Sequence, residues 1–256
     1  MIDLHSHLLP GIDDGPSTME QSIELCRLAV NQGITHSIAT PHIHPGRWQN
    51  DRSSIGKAYL ALRDSLSTLN IPLQLGFAAE VRLTEAIIQQ VAMDEIPFYG
   101  VVDGYKVMLL EFPHSHITAG SNKLVSWLLE NGIRPLIAHP ERNKQVIRNP
   151  NVLDQFLEAG CWLQFTAASV TGYFGDGARQ AAERLLASGT KAVIATDSHN
   201  GESRPPLLRE ALEIIAREHG PETIERLSSL SFEIVADQFQ TKSNRVLSRA
   251  PAALCD

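Results

Sequence analysis

Seven short apolar runs, each bounded by Gly, Pro or Asn and separated by amphipathic stretches, constrain this chain more than any other feature. They cover 2–5 (IDLH), 34–40 (ITHSIAT), 73–81 (LQLGFAAEV), 106–112 (KVMLLEF), 134–138 (RPLIA), 161–166 (CWLQFT) and 191–196 (KAVIAT). Runs this short and this apolar read as parallel strands covered on both faces. Helical patterns fall between them, at 17–32, 52–69, 84–93, 119–131, 177–188 and 206–219. A further helix opens at Asn149-Pro150 and is closed by Gly160. In 17–32, Ser17 and Glu20 make a capping box, Met19, Ile23, Cys26 and Val30 form one face, and Gly33 ends the helix. The alternation predicts an α/β fold: a closed or nearly closed parallel barrel in one domain, with a doubly wound open sheet as the competitor. The domain spans 1–240, and 241–256 reads as a polar tail in which Cys255 is incidental.

At 256 residues the chain is long enough for one such barrel, and 43% hydrophobic with 20% charged residues is ordinary for a globular protein. A net charge of −7 argues against nucleic-acid binding through a broad basic surface. Cys26, Cys161 and Cys255 are odd in number and too dispersed for a zinc knuckle. With no basic-then-apolar leader before Ile2, we expect reduced thiols and a cytoplasmic protein. No run approaches the roughly 20 apolar residues of a spanning helix, so no membrane insertion is expected.

The residues at the ends of the runs carry the chemistry. The first run ends in His5 and His7, whose i, i+2 spacing on an extended segment points both imidazoles the same way. Asp13-Asp14-Gly15 follows in the next loop. The later runs lead to His42, Glu80, Glu111, His139, and then Asp197 with His199. In a parallel barrel all these ends meet at one mouth, where barrel enzymes keep their chemistry. Crowded carboxylates repel and are costly to desolvate, and divalent cations are the ordinary remedy. Imidazole and carboxylate without cysteine suit Mn, Fe or Zn. Two or three such ions can activate water and clamp a phosphoryl group. Arg142 and Arg204 lie beside the ligands, and guanidinium forks match phosphate oxygens. The combination points to a phosphate ester.

Plainer readings apply elsewhere. His36, His44, His114, His116 and His219 read as ordinary surface or core histidines, and Glu80 and Glu111 taken singly could be solvated strand-end carboxylates. Glu111 follows VMLL, where an inward charge needs a partner. Asp3 stays ambiguous, Asp13 orients its loop or binds metal, and Arg47 and Trp48 read equally as substrate contacts or as loop. A cysteine phosphatase is excluded: it needs an arginine six residues after the thiolate, where Gln32 and Ala167 stand after Cys26 and Cys161. No Walker loop is present.

Together, MIDLHSHLLPGIDDGP, ATPHIHPG, LLEF, IAHPERN and ATDSHN resemble the polymerase and histidinol phosphatase (PHP) superfamily. Within it they look like the bacterial capsular and exopolysaccharide branch, the metal-dependent protein-tyrosine phosphatases. The likeness runs from Met1 to about Gln238. It implies a distorted (β/α)7 TIM-like barrel and a three-metal site, commonly manganese, that hydrolyses phosphomonoesters with a metal-activated hydroxide. By position, the first metal would take His5, His7, Glu80 and Asp197. The second would share Glu80 and add Glu111 and His139, and the third would take Asp14, His42 and His199. Arg142 and Arg204 would hold the phosphate. The implied partner is a phosphotyrosine protein, the tyrosine-rich C-terminal tail of a bacterial polysaccharide co-polymerase kinase. The same site would also serve a small-molecule phosphatase of the histidinol-phosphate or nucleotide type, or a phosphodiesterase; a non-catalytic metal-binding module is the remaining alternative. Short loops apart from 43–53 and 113–121 imply an open mouth and favour a protein substrate. Two departures stand out. Relatives usually carry an asparagine near Thr166, where a rim hydrogen bond is either lost or taken by the hydroxyl; an Asn-Pro pair is missing near Leu230-Ser231.

Overall fold

In chain order the strands are β1 (Ile2–Ser6), β2 (His36–Ala39), β3 (His42–Ile43), β4 (Gln74–Phe77), β5 (Glu80–Arg82), β6 (Val101–Val102), β7 (Tyr105–Glu111), β8 (Ile133–Ala138), β9 (Trp162–Thr166) and β10 (Ala192–Ala195). The helices are α1 (Met19–Asn31), α2 (Arg52–Thr68), α3 (Ala86–Ala92), α4 (Ser121–Glu130), α5 (Lys144–Arg148), α6 (Asp154–Glu158), α7 (Ala167–Val170), α8 (Asp176–Ala187), α9 (Leu208–His219) and α10 (Pro221–Phe239). They come from a computed structural model that describes residues 1–239. The tail read over 241–256, with Cys255, lies outside the described residues.

Two parallel sheets result. One has the order β1-β2-β4, and the other runs β10-β9-β8-β7-β5-β3. The antiparallel exception, β6 on β7, is joined by Asp103-Gly104, both at positive φ, as a tight hairpin turn requires. The expected seven unbroken strands are therefore corrected. The second run gives β2 and ends at Thr40-Pro41, with the short β3 beyond it, and Ala78-Ala79 divides the third run into β4 and β5. Pro41 has no N–H to give a ladder, which is why the break falls there. Pairing nonetheless resumes across the breaks, with Ala78 N–H on the Ala39 carbonyl at 2.9 Å and Glu80 N–H on Pro41 at 3.1 Å. Across the other gap, Asp197 N–H meets the His5 carbonyl at 2.7 Å, and His7 N–H meets Ser198 at 2.9 Å. No single closed ladder is found among the described residues; the fold is α/β with parallel sheets.

The apolar residues sort onto two sides. Leu4, Ile38, Val107, Leu109, Leu136, Trp162, Val193 and Ala195, drawn from six strands, form one buried cluster. A larger cluster lies between the strands and the surrounding helices. Leu230, Ile234 and Val235 of α10 cap the first cluster, and Tyr99 donates its hydroxyl to the Leu4 carbonyl there at 2.6 Å. The C-terminal helix around Leu230-Ser231 is α10; Ser231 returns its hydroxyl to the Leu227 carbonyl, and the helix continues without the missing Asn-Pro pair.

Local ends differ in instructive ways. The cap of α1 is Thr18, accepting from Gln21 N–H, not the Ser17–Glu20 box. Its fully buried residues are Ser22, Leu25, Cys26 and Ala29, while Met19, Ile23 and Val30 of the predicted face are partly buried against the same core. Helix α2 starts at a box of Asp51 with Ser54. The segment after Asn149 is a 3-10 turn over Pro150–Leu153 before α6.

Candidate metal centre

The predicted histidines and carboxylates converge: His5 and His7 at the end of β1, Glu111 at the end of β7, His139 after β8 and Asp197 and His199 after β10, with His42 and Glu80 as the first residues of the short β3 and β5. Donor atoms of His5, His7, Glu80 and Asp197 lie within 4.8 Å of one another. So do those of His7, Asp14, His42 and His199, and those of His42, Glu80 and Glu111. His139 reaches the cluster through Glu80, with Nε2 2.7 Å from Oε1. His36, His44, His114, His116 and His219 lie outside these groups.

Local backbone geometry aims several of these side chains. Strand β8 stops at His139 (φ 34°), and the residues after β10 turn at Asp197 (φ 52°). Both are in the left-handed region that non-glycine residues avoid, a cost seen where function dictates conformation. Asn200, from the ATDSHN segment, folds the following loop: its Oδ1 accepts from Glu202, Ser203 and Arg204 N–H, and His199 N–H closes on the Arg204 carbonyl at 3.0 Å. Asn143 does the same for AHPERN, capping α5 and donating to Pro113 of the loop after β7 at 2.8 Å.

Partners behind the cluster fix its tautomers. Gln164 Oε1 accepts from the His139 backbone N–H at 3.2 Å, which orients the amide. The same oxygen is 2.9 Å from His5 Nδ1, so that nitrogen carries the proton and Nε2 faces the cluster. Asp13 performs this service for His7 at 2.6 Å, while also accepting from Gly15 and His42 N–H. Asp13 thus orients and Asp14 is the one that faces the donors. Gly15 makes the turn possible, since a Cβ there would lie 2.5 Å from the His7 carbonyl oxygen. Asp3 is a clamp between β1 and the residue after β10, taking Thr196 N–H at 2.8 Å and its hydroxyl at 2.6 Å.

Electrostatics show how far the cluster depends on positive charge. Burial opposes protonation of His5, yet Asp197 and Glu80 outweigh it and raise its pKa; for His7, Asp13 does so. Burial also opposes ionisation of Glu80 and Asp197, but the surrounding imidazoles, with both arginines at Asp197, hold them well below the carboxylate range. His139 and His199 are pushed down to about 4, by burial and then by Arg142 and His7 respectively. Glu111 is pushed up to about 7 by burial and by Glu80, although Arg82 Nε lies 3.2 Å away. Buried Glu80 Oε2, Asp197 Oδ1, Glu111 Oε2, His42 Nδ1 and His199 Nε2 all lack a hydrogen-bond partner. Convergent lone pairs without donors on an oxygen-and-nitrogen set are what a divalent cation fits.

The arginines meet this set at one residue. Arg142 Nη1 and Arg204 Nη2 both donate to Asp197 Oδ2, the latter at 2.6 Å, leaving Oδ1 facing His5 and His7. Arg204 Nε is buried without a partner. His5, His7, Glu80 and Asp197 are buried, whereas the side chains of Asp14, Arg204 and Arg142 are 34%, 24% and 20% exposed, so solvent reaches the cluster from the arginine side. Arg47 stacks on Trp48 in the loop after β3, where His44 bridges to Trp48. The Thr166 hydroxyl does not replace the missing rim asparagine: it has no partner, and Glu141 takes the Thr166 N–H instead.

Sequence reasoning missed Gln164, Arg82 and the role of Asn200. Gln164 was detectable as the one amide in the apolar run CWLQFT, and Arg82 as the i+2 neighbour of Glu80.

Comparisons with known proteins give the chain its relatives. The tyrosine-protein phosphatase YwqE of Bacillus subtilis is 35% identical over 222 residues, 87% of this chain and 86% of that protein. The putative tyrosine-protein phosphatase CapC of Staphylococcus aureus is 33% identical over 82% of this chain and 81% of its own. A crystal structure from the work on YwqE and on CpsB of Streptococcus pneumoniae, described as unique metal-dependent tyrosine phosphatases, superposes with a TM-score of 0.86 at 33% identity, covering 94% of this chain and 96% of that one. Residues 1–233 match the family described as capsular polysaccharide synthesis, CpsB/CapC, and the chain belongs to that family.

Proposed function

We propose that this protein is a metal-dependent phosphomonoester hydrolase that removes phosphate from phosphotyrosine on a protein. The observation that carries the reading is the convergence of three cation-sized donor groups with two guanidinium groups on one carboxylate, Asp197. His5, His7, Glu80 and Asp197 would hold one ion, Glu80, Glu111 and His139 with His42 alongside a second, and Asp14, His42 and His199 a third. Manganese is the proposed metal, and iron or zinc would suit the same donors. When bound, such ions supply Lewis acidity and a nucleophilic water at neutral pH. The protein's own contribution is positioning. Arg142 and Arg204 turn guanidinium donors toward the phosphate oxygens and stabilise the charge that grows on them during in-line displacement. Gln164 and Asp13 keep His5 and His7 in one tautomer throughout. A phenolate leaves more readily than an alkoxide, so a phosphotyrosine needs the least help at the leaving oxygen. Neither Cys26 nor Cys161 is placed to act as a nucleophile: both are buried, with thiols pushed up to about 12 by that burial.

The two sheets are read as a distorted (β/α)7 TIM-like barrel over 1–240, supported by the inward cluster drawn from six strands and by the hydrogen bonds from 5–7 to 197–198. The partly exposed arginines support a mouth open to a polypeptide, and the kinase C-terminal tail is the proposed substrate. Two free buried cysteines fit a reducing cytoplasm; no helix among the described residues is long and apolar enough to cross a membrane. The test is phosphate release from a phosphotyrosine peptide by EDTA-stripped protein with Mn²⁺ restored, beside a phosphoserine peptide and histidinol phosphate. Metal-dependent turnover of the phosphotyrosine peptide alone is expected; turnover of histidinol phosphate instead would replace the substrate assignment.

A further inference from the structure

The segment Gly172-Tyr173-Phe174-Gly175 leaves the C-terminal end of β9 through α7 and lies at the same end of the sheets as the candidate ligands. It is a tight turn, with Gly172 at φ 81°, Gly175 at φ 90° and the Gly175 N–H on the Gly172 carbonyl at 2.9 Å. The turn touches both arginine-bearing segments. The Arg142 guanidinium carbon sits 4.8 Å from the centre of the Phe174 ring, on the aromatic face. Tyr173 reaches the other way, its hydroxyl donating to the Glu202 carbonyl at 2.8 Å in the loop that carries Arg204. The residue is nevertheless 52% exposed, leaving an amphipathic aromatic side chain open to solvent.

We infer that this aromatic turn is the specificity element of the site: Phe174 holds Arg142 in place, and the exposed Tyr173 ring forms a wall against which the aryl group of an aromatic phosphoester packs. Phosphate gathered by Arg142 and Arg204 leaves its ester oxygen and substituent on the solvent side, and there the turn spans the gap between the two arginine segments. An alkyl substituent is too small to use such a wall, whereas a phenyl ring gains an offset or edge contact worth about 0.5–1.5 kcal/mol, or roughly 2- to 12-fold in affinity. Phe174 acts through Arg142 and is a positioning residue. Tyr173 would touch the substrate. The inference rests on the proposed phosphatase reading and names what that site selects.

The experiment uses metal-loaded protein and three inhibitors of phosphate release: phenylphosphonate, methylphosphonate and inorganic phosphate. Wild type is expected to bind phenylphosphonate more tightly than methylphosphonate. Tyr173→Ala should cut that ratio by about 5-fold with metal content unchanged; the ratio cancels any weakening of phosphate binding common to both phosphonates, and inorganic phosphate reads that common part. Phe174→Leu should weaken all three inhibitors together, and Phe174→Trp, which keeps an aromatic face under the guanidinium, should restore them. A phenyl-to-methyl ratio of one in wild type, or one unaltered in Tyr173→Ala, overturns the inference. Phosphotyrosine turnover by wild type is read separately, so loss of the ratio effect and loss of the parent activity are told apart.

Discussion

Arg204 Nη2 donates to Asp197 Oδ2 at 2.6 Å, and that bond divides the carboxylate into an oxygen for the arginines and an oxygen for the histidines. Asp197 is fully buried, so its charge is tolerated only because both sides are answered. Arg142→Ala should therefore lower turnover by about 10²–10³-fold, the usual effect of removing one donor from a developing anion. Metal content should hold, because Arg204 still occupies Oδ2. Metal analysis beside steady-state kinetics checks it; unchanged turnover would remove Arg142 from the phosphate-binding role.

Gln164→Leu tests the tautomer argument. The substitution leaves the His139 N–H and His5 Nδ1 without their acceptor, at a stability cost of about 1–3 kcal/mol. Metal affinity should fall about 10–100-fold, as for other groups that orient a ligand from behind. Titration with Mn²⁺ at fixed pH measures the second effect, and chemical denaturation the first.

Gly15→Ala should break the Asp13-Asp14 turn. Its methyl would meet the His7 carbonyl at 2.5 Å and Asp13 Oδ1 at 3.1 Å, both parts of the site itself. Overpacking of this kind costs about 1–3 kcal/mol. The metal stoichiometry should drop as Asp14 moves, with the fold retained by circular dichroism.

Thiol chemistry provides a check by exclusion. The buried thiols of Cys26 and Cys161 lie at about 12, raised from 9.0, so at pH 8 neither offers thiolate. Because the folded-state values are the raised ones, ionisation of these groups favours unfolding only above about pH 9. Iodoacetamide at pH 8 should leave both unmodified by mass spectrometry and activity intact; loss of activity in step with alkylation of either would contradict the metal mechanism.

Metal removal should be visible in stability as well as in turnover. A cation bound at a hundred times its dissociation constant stabilises by about 2.7 kcal/mol, which for a domain of this size is about 5–10 °C in melting temperature. Scanning fluorimetry with EDTA and with Mn²⁺ measures it.

Much of this was legible in the sequence because two periodicities coincide. Apolar runs locate the strands, and the ligand-type residue at or just beyond the end of each run marks where the side chain leaves the core; His5, Glu80, Glu111 and His139 are all found in that way. What periodicity cannot report is backbone hand. The left-handed turns at His139 and Asp197 are invisible in residue types, yet they aim two of the candidate ligands. Nor does it report who stands behind a ligand: Gln164 and Asp13 become meaningful only once β9 lies beside β8 and the loop after β1 folds back on His7. The end of β2 is written in Pro41, whereas the two-residue β3 beyond it is too short to show as an apolar run.

The contacts of residues 5–7 with 197–198 also have a consequence in time. Synthesis delivers His5 and His7 first, and Asp197 and His199 nearly two hundred residues later, so the first candidate cation group cannot assemble on a nascent chain until almost the whole domain has emerged. Long-range closure of this kind is slow and late in folding. Metal capture therefore reports completion: an emerging chain offers scattered histidines, and only a finished one offers a site.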